Sequence, residues 1–271
     1  MTSLTSEIKS DIRTQIQHHL TTQEEDLLPC FYALTGSHLY GTSGTASDID
    51  IKGFHCANGS RYMLFDSPET HRSFQASISS ANTTIEITSY ELRKFGTMLL
   101  QSDFSIIELI GSDMDVYIRD NTQLHSIEEI LEDTLPGELP VRYLGMAESI
   151  YERDVKDTTP TDPSDLKPYV YSLRGCLAAE YVQKYAAVEP RLQSLAATLL
   201  EEESTRKVKK FINALQAGQL PSQAVLTEVR LVINEKLGTI EASQFETEQR
   251  SEYKTALADW MLTVREQTNT R

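Results

Sequence analysis

Gly36-Ser37-His38-Leu39-Tyr40-Gly41-Thr42-Ser43-Gly44-Thr45-Ala46-Ser47-Asp48-Ile49-Asp50 joins a turn of small residues to two carboxylates two positions apart. The preceding Phe31-Tyr32-Ala33-Leu34-Thr35 reads as a short buried strand, so Gly36 and Ser37 fall at a strand-to-helix turn. Unpaired backbone N–H groups and the helix dipole attract phosphate at such a turn, and Gly36 lets an anion approach the main chain closely. Residues 47–53 read as a second strand, whose two-residue period puts Asp48 and Asp50 on one face and Ile49 and Ile51 on the other. Two neighbouring carboxylates repel each other, and a hard divalent cation removes that cost. The combination is that of a Mg-nucleotide site. It is not a P-loop: the glycine spacing from Gly36 to Gly41 is right, but Thr42 stands where the phosphate-binding Lys is required.

The segment resembles the signature of the DNA polymerase beta-like nucleotidyltransferase superfamily, in which Gly-Ser or Gly-Gly precedes an Asp-x-Asp or Asp-x-Glu flanked by apolar residues. Gly36-Ser37, Asp48 and Asp50 fill those positions. The resemblance implies a third carboxylate on an adjacent strand. Thr83-Thr84-Ile85-Glu86-Ile87-Thr88 is the best strand downstream, and Glu86 lies on the face opposite Ile85 and Ile87, so Glu86 is the expected third ligand. Its rival, Glu91, is explained more simply as a helix cap. A second resemblance covers most of residues 31–195. Leu92-Arg93-Lys94-Phe95, the helix carrying Glu108, and Lys167-Pro-Tyr169-Val-Tyr171-Ser-Leu-Arg174 are similar to predicted nucleotidyltransferases found beside RNA ligases and in phages. Where the turn between two helices in that group often reads Asn-Pro, this chain has Asp103-Phe104.

The expected fold is therefore α+β. A small mixed-sheet nucleotidyltransferase domain with an N-terminal helix would span residues 1–120, and a helical domain closing the nucleotide cleft and contacting the acceptor would span 121–271. The local patterns agree. Ile8, Ile12, Ile16 and Leu20, with Leu4, recur at helical spacing and predict an amphipathic helix covering one sheet face. Strands are expected at 31–35, 47–54, 62–65 and 83–88, with a Ser/Asn-rich surface loop over 67–82. Thr88-Ser-Tyr-Glu91 reads as a capping box opening a helix that buries Leu92, Phe95 and Leu99, and Asp103 as the cap of a helix carrying Ile106, Ile107 and Ile110. Beyond a polar, proline-containing break at 157–165, helices are expected over 168–188, 192–216, 222–237 and 243–267.

Composition narrows the partners. The 271 residues carry 39% hydrophobic and 24% charged side chains, ordinary for a globular chain long enough to bury a sizeable core. A net charge of −15 opposes long, sequence-blind contact with a nucleic-acid backbone but permits a short RNA end. Runs such as Glu128-Glu129 and Glu201-Glu202-Glu203 read as solvated faces. Three scattered cysteines, Cys30, Cys56 and Cys176, suit a reducing compartment. With no basic-apolar leader pattern at the N-terminus and no bilayer-length apolar run, a cytoplasmic protein without membrane association is expected. The sequence leaves the oligomeric state open.

In the chemistry the resemblance implies, an NTP rests its β and γ phosphates on Gly36 and Ser37. Asp48, Asp50 and Glu86 hold two Mg2+ (or Mn2+) ions, and an acceptor hydroxyl attacks the α phosphorus. Lys52, on the same strand face as the Asp pair, is placed to touch phosphate or steady a metal ligand. Lys167, Tyr171 and Arg174, four and three residues apart, share a helix face and would offer two cations to the triphosphate and a phenol to the sugar or base. His38 is a candidate phosphate donor, whereas Arg93 and Lys94 read as solvated and His55 and His71 as structural. The acceptor is an RNA (tRNA-like) 3' end, or else a protein or small-molecule hydroxyl. In the competing class, the chain is a nucleotide-binding, antitoxin-like partner that nucleotidylates or regulates another protein.

Overall fold

In a computed structural model the described residues are 5–21, 27–44, 47–57, 62, 70–78, 83–112, 115–118, 121–133, 135, 137–239 and 247–269. In chain order the elements are α1 (Ser6–Thr21), β1 (Leu27–Leu34), α2 (Gly36–Leu39), β2 (Ile49–Ala57), β3 (His71–Ile78), β4 (Thr83–Glu91), α3 (Leu92–Leu100), α4 (Phe104–Ile110) and β5 (Asp115–Ile118). There follow α5 (Asn121–Asp133), α6 (Leu139–Ile150), α7 (Lys167–Tyr185), α8 (Leu192–Leu199), α9 (Glu202–Gln216), α10 (Gln223–Thr239) and α11 (Thr247–Asn269). The fold is α+β, as expected. Among the described residues no helix is long and apolar enough to cross a membrane.

Packing divides the chain into two compact units. The first comprises Met1–Gly36, Asp48–Thr134 and Glu246–Arg271, and the second Ser37–Ser47 and Leu135–Phe245. The expected cut at 120 thus falls inside the first unit, which also takes back the last helix.

The first unit is built on a five-stranded mixed sheet of order β3-β4-β2-β1-β5, with β2 and β4 parallel and the other pairs antiparallel. β2 and β4 alternate isoleucine with polar residues, a pattern that packs one face of a pleated strand and frees the other. Ile49, Ile51, Ile85 and Ile87 join Tyr32, Leu34 and Val116 in one core cluster with Ile12, Ile16 and Leu20 of α1. Asp50, Lys52 and Glu86 therefore occupy the sheet face opposite α1. Farther along that face, Phe54 packs on Phe95 of α3 (ring centroids 4.6 Å apart) and on Trp260 of α11 (5.7 Å).

Two local expectations are corrected, and a third falls mostly outside the described residues. The Ser/Asn-rich stretch 67–82 contains β3, an edge strand that turns Ala76 inward and leaves His71, Ser73 and Gln75 exposed. Of the expected strand 62–65, only Tyr62 lies among the described residues. β4 runs through Glu91, so the cap of α3 is Glu91, whose carboxylate accepts from Arg93 N (2.8 Å) and from the Tyr62 hydroxyl, and not Thr88. Asp103 caps α4 as expected, accepting from Ser105 N at 3.0 Å.

A buried polar network crosses the sheet. Tyr32 lies over Gly53, where a Cβ would collide with its ring, and its hydroxyl meets Ser89 Oγ at 2.5 Å; His55 Nδ1 meets the same oxygen at 2.7 Å. Burial, reinforced by the positive charge of Arg72, pushes the His55 imidazole down from 6.5 to about 4. The unfolded chain therefore binds a proton between those values that the folded chain refuses. Stability is complete above about pH 6.5, falls as pH drops toward about 4, and loses on the order of 3 kcal/mol across the window. His55→Asn removes the titration while keeping a donor near Ser89. Its stability relative to wild type should rise as the pH of urea unfolding is lowered from 7.5 to 4.5, and parallel losses in both proteins would count against His55 as the source.

The second unit is helical. α6 and α7 pack closely at Gly175, where a Cβ would sit 2.8 Å from the Met146 side chain and 3.1 Å from the Tyr143 carbonyl. Ser172 Oγ donates to Ala147 O at 2.9 Å. The expected helix 192–216 is two, α8 and α9, separated where Leu200 turns extended. The short 37–47 segment belongs to this unit. Leu192 N donates to Tyr40 O (3.1 Å), and Gln216 Nε2 donates to Gly41 O (3.0 Å).

Candidate functional site

β1 ends at Leu34, Thr35 N donates to Asp50 O at 2.9 Å, and the chain then turns at Gly36 with φ +61°. A Cβ on Gly36 would lie 2.5 Å from Asp50 Oδ2, so the carboxylate of Asp50 rests directly against the Gly36 backbone. The candidate phosphate turn and one candidate carboxylate are thus neighbours through the β1–β2 pairing, in which Leu34 stands opposite Ile51.

The parallel pairing of β2 with β4 sets Asp50 opposite Glu86 and Lys52 opposite Thr88. Side chains of register partners project on the same sheet face, so Asp50 and Glu86 are side by side and Lys52 stands one pleat farther on. Asp48 immediately precedes β2 and is exposed, as is Glu86. Among the described residues no three His, Cys, Asp or Glu side chains stand together as a metal-binding group. Two of the three expected ligands, Asp50 and Glu86, are paired by the sheet, and the third, Asp48, lies two residues before Asp50 in the chain. The donor chemistry, carboxylate oxygen alone, is that of Mg2+ or Mn2+ sites.

Beyond Glu86 the edge strand adds Gln75, its register partner, and Ser73, opposite Thr88. These two escape a reading of the sequence because the short Phe74-Gln75-Ala76 alternation is set among Ser and Asn residues that are ordinary in surface loops.

In the second unit, Ser37 O accepts from Thr42 N (2.9 Å) and Ser43 N (3.1 Å), closing the small-residue turn on itself. The expected Lys167-Tyr171-Arg174 row does not form a single solvent face. Lys167 is exposed and Tyr171 is 37% exposed, whereas Arg174 is fully buried. Its guanidinium lies over the Tyr40 ring, 3.8 Å from the centroid, and Tyr171 meets Tyr40 edge-on at 6.2 Å. Arg174 therefore grips the segment that follows Gly36, through a cation–π contact made inside the protein.

The profile of the RNA repair pathway DNA polymerase beta family (RlaP) matches residues 8–263. The uncharacterized protein YcgL of Bacillus subtilis (strain 168) is 24% identical over 157 residues, which are 58% of this chain and 56% of that protein, so the chain matches little more than half of that relative's length. The crystal structure of a nucleotidyltransferase-like protein from Exiguobacterium sibiricum 255-15 aligns with 95% of this chain and 91% of its own, at 9% identity and a TM-score of 0.31. With the profile spanning nearly all of its length, the chain belongs to the RNA repair pathway DNA polymerase beta family.

Proposed function

We propose that the chain transfers a nucleoside monophosphate from an NTP to an acceptor hydroxyl, an RNA 3' end, releasing pyrophosphate. The observation that carries this reading is the contact of the Asp50 carboxylate with the Gly36 backbone, in register with Glu86. It gathers a phosphate-accepting turn and two carboxylates on one sheet face. The backbone at Gly36 and Ser37 receives the β and γ phosphates, and Lys52 steadies the same anion. Asp48, Asp50 and Glu86 would hold the Mg2+ or Mn2+ ions, which in such a site neutralise charge on the leaving pyrophosphate and acidify the acceptor hydroxyl. Glu86 takes the proton as the acceptor oxygen bonds to the α phosphorus and the bond from that phosphorus to the bridging oxygen breaks. Within the second unit, Arg174 holds Tyr40 of the segment that follows Gly36. The cytoplasm is the compartment that suits three buried, unlinked cysteines.

The test is incubation with each α-phosphate-labelled NTP, Mg2+ or Mn2+, and a pool of tRNA and short RNAs, beside an Asp48→Ala/Asp50→Ala control. Label on RNA that vanishes in the control is the expected result. Label on a protein instead would replace the RNA acceptor with the partner-modifying reading. No transfer to any acceptor, with NTP binding intact, would remove the transferase reading.

A further inference from the structure

In a chain of net charge −15, four of the five residues 206–210 are basic: Arg206, Lys207, Lys209 and Lys210. α9 divides them. Val208, Phe211 and Ile212 are buried, and Lys207 turns toward α10, where Nζ donates to Glu228 at 2.8 Å. Arg206, Lys209, Lys210, Asn213 and Gln216 are all exposed. Their spacings of three and four residues make one continuous stripe along the helix. Glu202 and Glu203 are confined to the first turn, where they complement the helix dipole. Glu203 reaches Arg206 only at 3.8 Å, and among the described residues no carboxylate pairs with Lys209 or Lys210. Like charges at helical spacing weaken a helix, so the stripe costs stability unless an anion covers it.

The stripe also has a direction. Gln216, about 15 Å along the axis from Arg206, donates to Gly41 O, and a Cβ on Gly44 would meet the Gln216 carbonyl at 2.6 Å. The segment gripped there, Ser37–Ser47, is covalently continuous with Gly36 at one end and Asp48 at the other.

We propose that the exposed face of α9, Arg206, Lys209 and Lys210 with Asn213, takes the phosphate backbone of the RNA acceptor and leads its end toward the 37–47 segment. The identity of the polyanion rests on the RNA-acceptor reading above. A short cationic track of this kind gives a small footprint, in keeping with the acidic remainder of the chain.

The test compares binding of a fluorescent short single-stranded RNA to wild type, to Arg206→Ala/Lys209→Ala/Lys210→Ala, and to Lys156→Ala/Lys184→Ala/Lys254→Ala. The last variant has the same net charge and alters exposed lysines elsewhere. The α9 variant should bind at least about tenfold more weakly, and its log–log salt slope should be shallower by about two, while the matched variant follows wild type. NTP binding, read by calorimetry, should be unchanged in all three. Equal RNA binding by the α9 variant and wild type overturns the proposal, as does equal loss in the matched variant or the absence of saturable RNA binding by wild type. The two readings fail separately. RNA binding that depends on α9 in a protein that transfers no nucleotide keeps this surface and removes the transferase, whereas transfer to RNA that is indifferent to α9 does the reverse.

Discussion

Asp50→Asn and Glu86→Gln enzymes are expected to lose turnover by about 10^3-fold or more, with NTP affinity changed by less than about tenfold. Both substitutions preserve shape and remove charge, so they isolate the role proposed for the carboxylates in holding cations and accepting a proton. The sheet makes the two residues a unit: they are register partners on parallel strands, on the face left open by α1. Groups that act as a unit are not additive, so the double variant should be little worse than the poorer single one. Glu91→Gln supplies the contrast. Glu91 is buried as the cap of α3 and held by Tyr62 and Arg93 N, so its loss should lower stability by about 1 kcal/mol while leaving turnover largely intact. Single-turnover measurements with labelled NTP separate binding from chemistry. Glu86→Gln turning over within about threefold of wild type would strip Glu86 of its role, and a collapse of turnover in folded Glu91→Gln would transfer that role to Glu91.

The parts of this architecture legible in the sequence are those where a local period is sufficient. Ile49, Ile51, Ile85 and Ile87 alternate with polar residues, and that alternation alone put Asp50 and Glu86 on the open face. What it does not supply is their pairing, because the register of two parallel strands with a third between them in the chain is set by tertiary packing. β3 has the sequence of a loop because an edge strand needs only one apolar face, here Ala76 with the partly buried Phe74, and its outward residues are ordinary loop residues. Lys167, Tyr171 and Arg174 stand at helical spacing within α7, but spacing does not say which part of a face is covered. Residues 172–179 of α7 are buried throughout, and Arg174 goes inside with them. Likewise the return of α11 to the first unit rests on Trp260 against Phe54 and Phe95 and on Tyr253 donating to Leu99 O at 3.2 Å. Those contacts span more than half the chain and leave no local trace. The assignment of 37–47 to the helical unit rests on equally distant contacts, Tyr40 with Arg174 and Leu192, and Gly41 and Gly44 with Gln216.

Gly36→Ala should cost activity out of proportion to stability. Its φ of +61° is the left-handed region, where an alanine is strained by about 1 kcal/mol, enough to lower the melting temperature by a few degrees. The second consequence is chemical: the new methyl would stand 2.5 Å from Asp50 Oδ2, so the carboxylate must rotate away from the turn. A ligand displaced by even about 1 Å in a phosphoryl-transfer site lowers turnover by about 10^2-fold, and that loss should appear with the protein still folded. Gly41→Ala provides the internal standard. Gly41 has φ +70°, hence the same backbone strain, but a Cβ there meets nothing within 4 Å. The two variants should therefore melt alike and differ in turnover, Gly41→Ala remaining close to wild type. If both lose activity equally, backbone strain accounts for the effect and the Asp50–Gly36 contact does not position the carboxylate; if neither does, Asp50 tolerates displacement and the phosphate turn must be sought elsewhere.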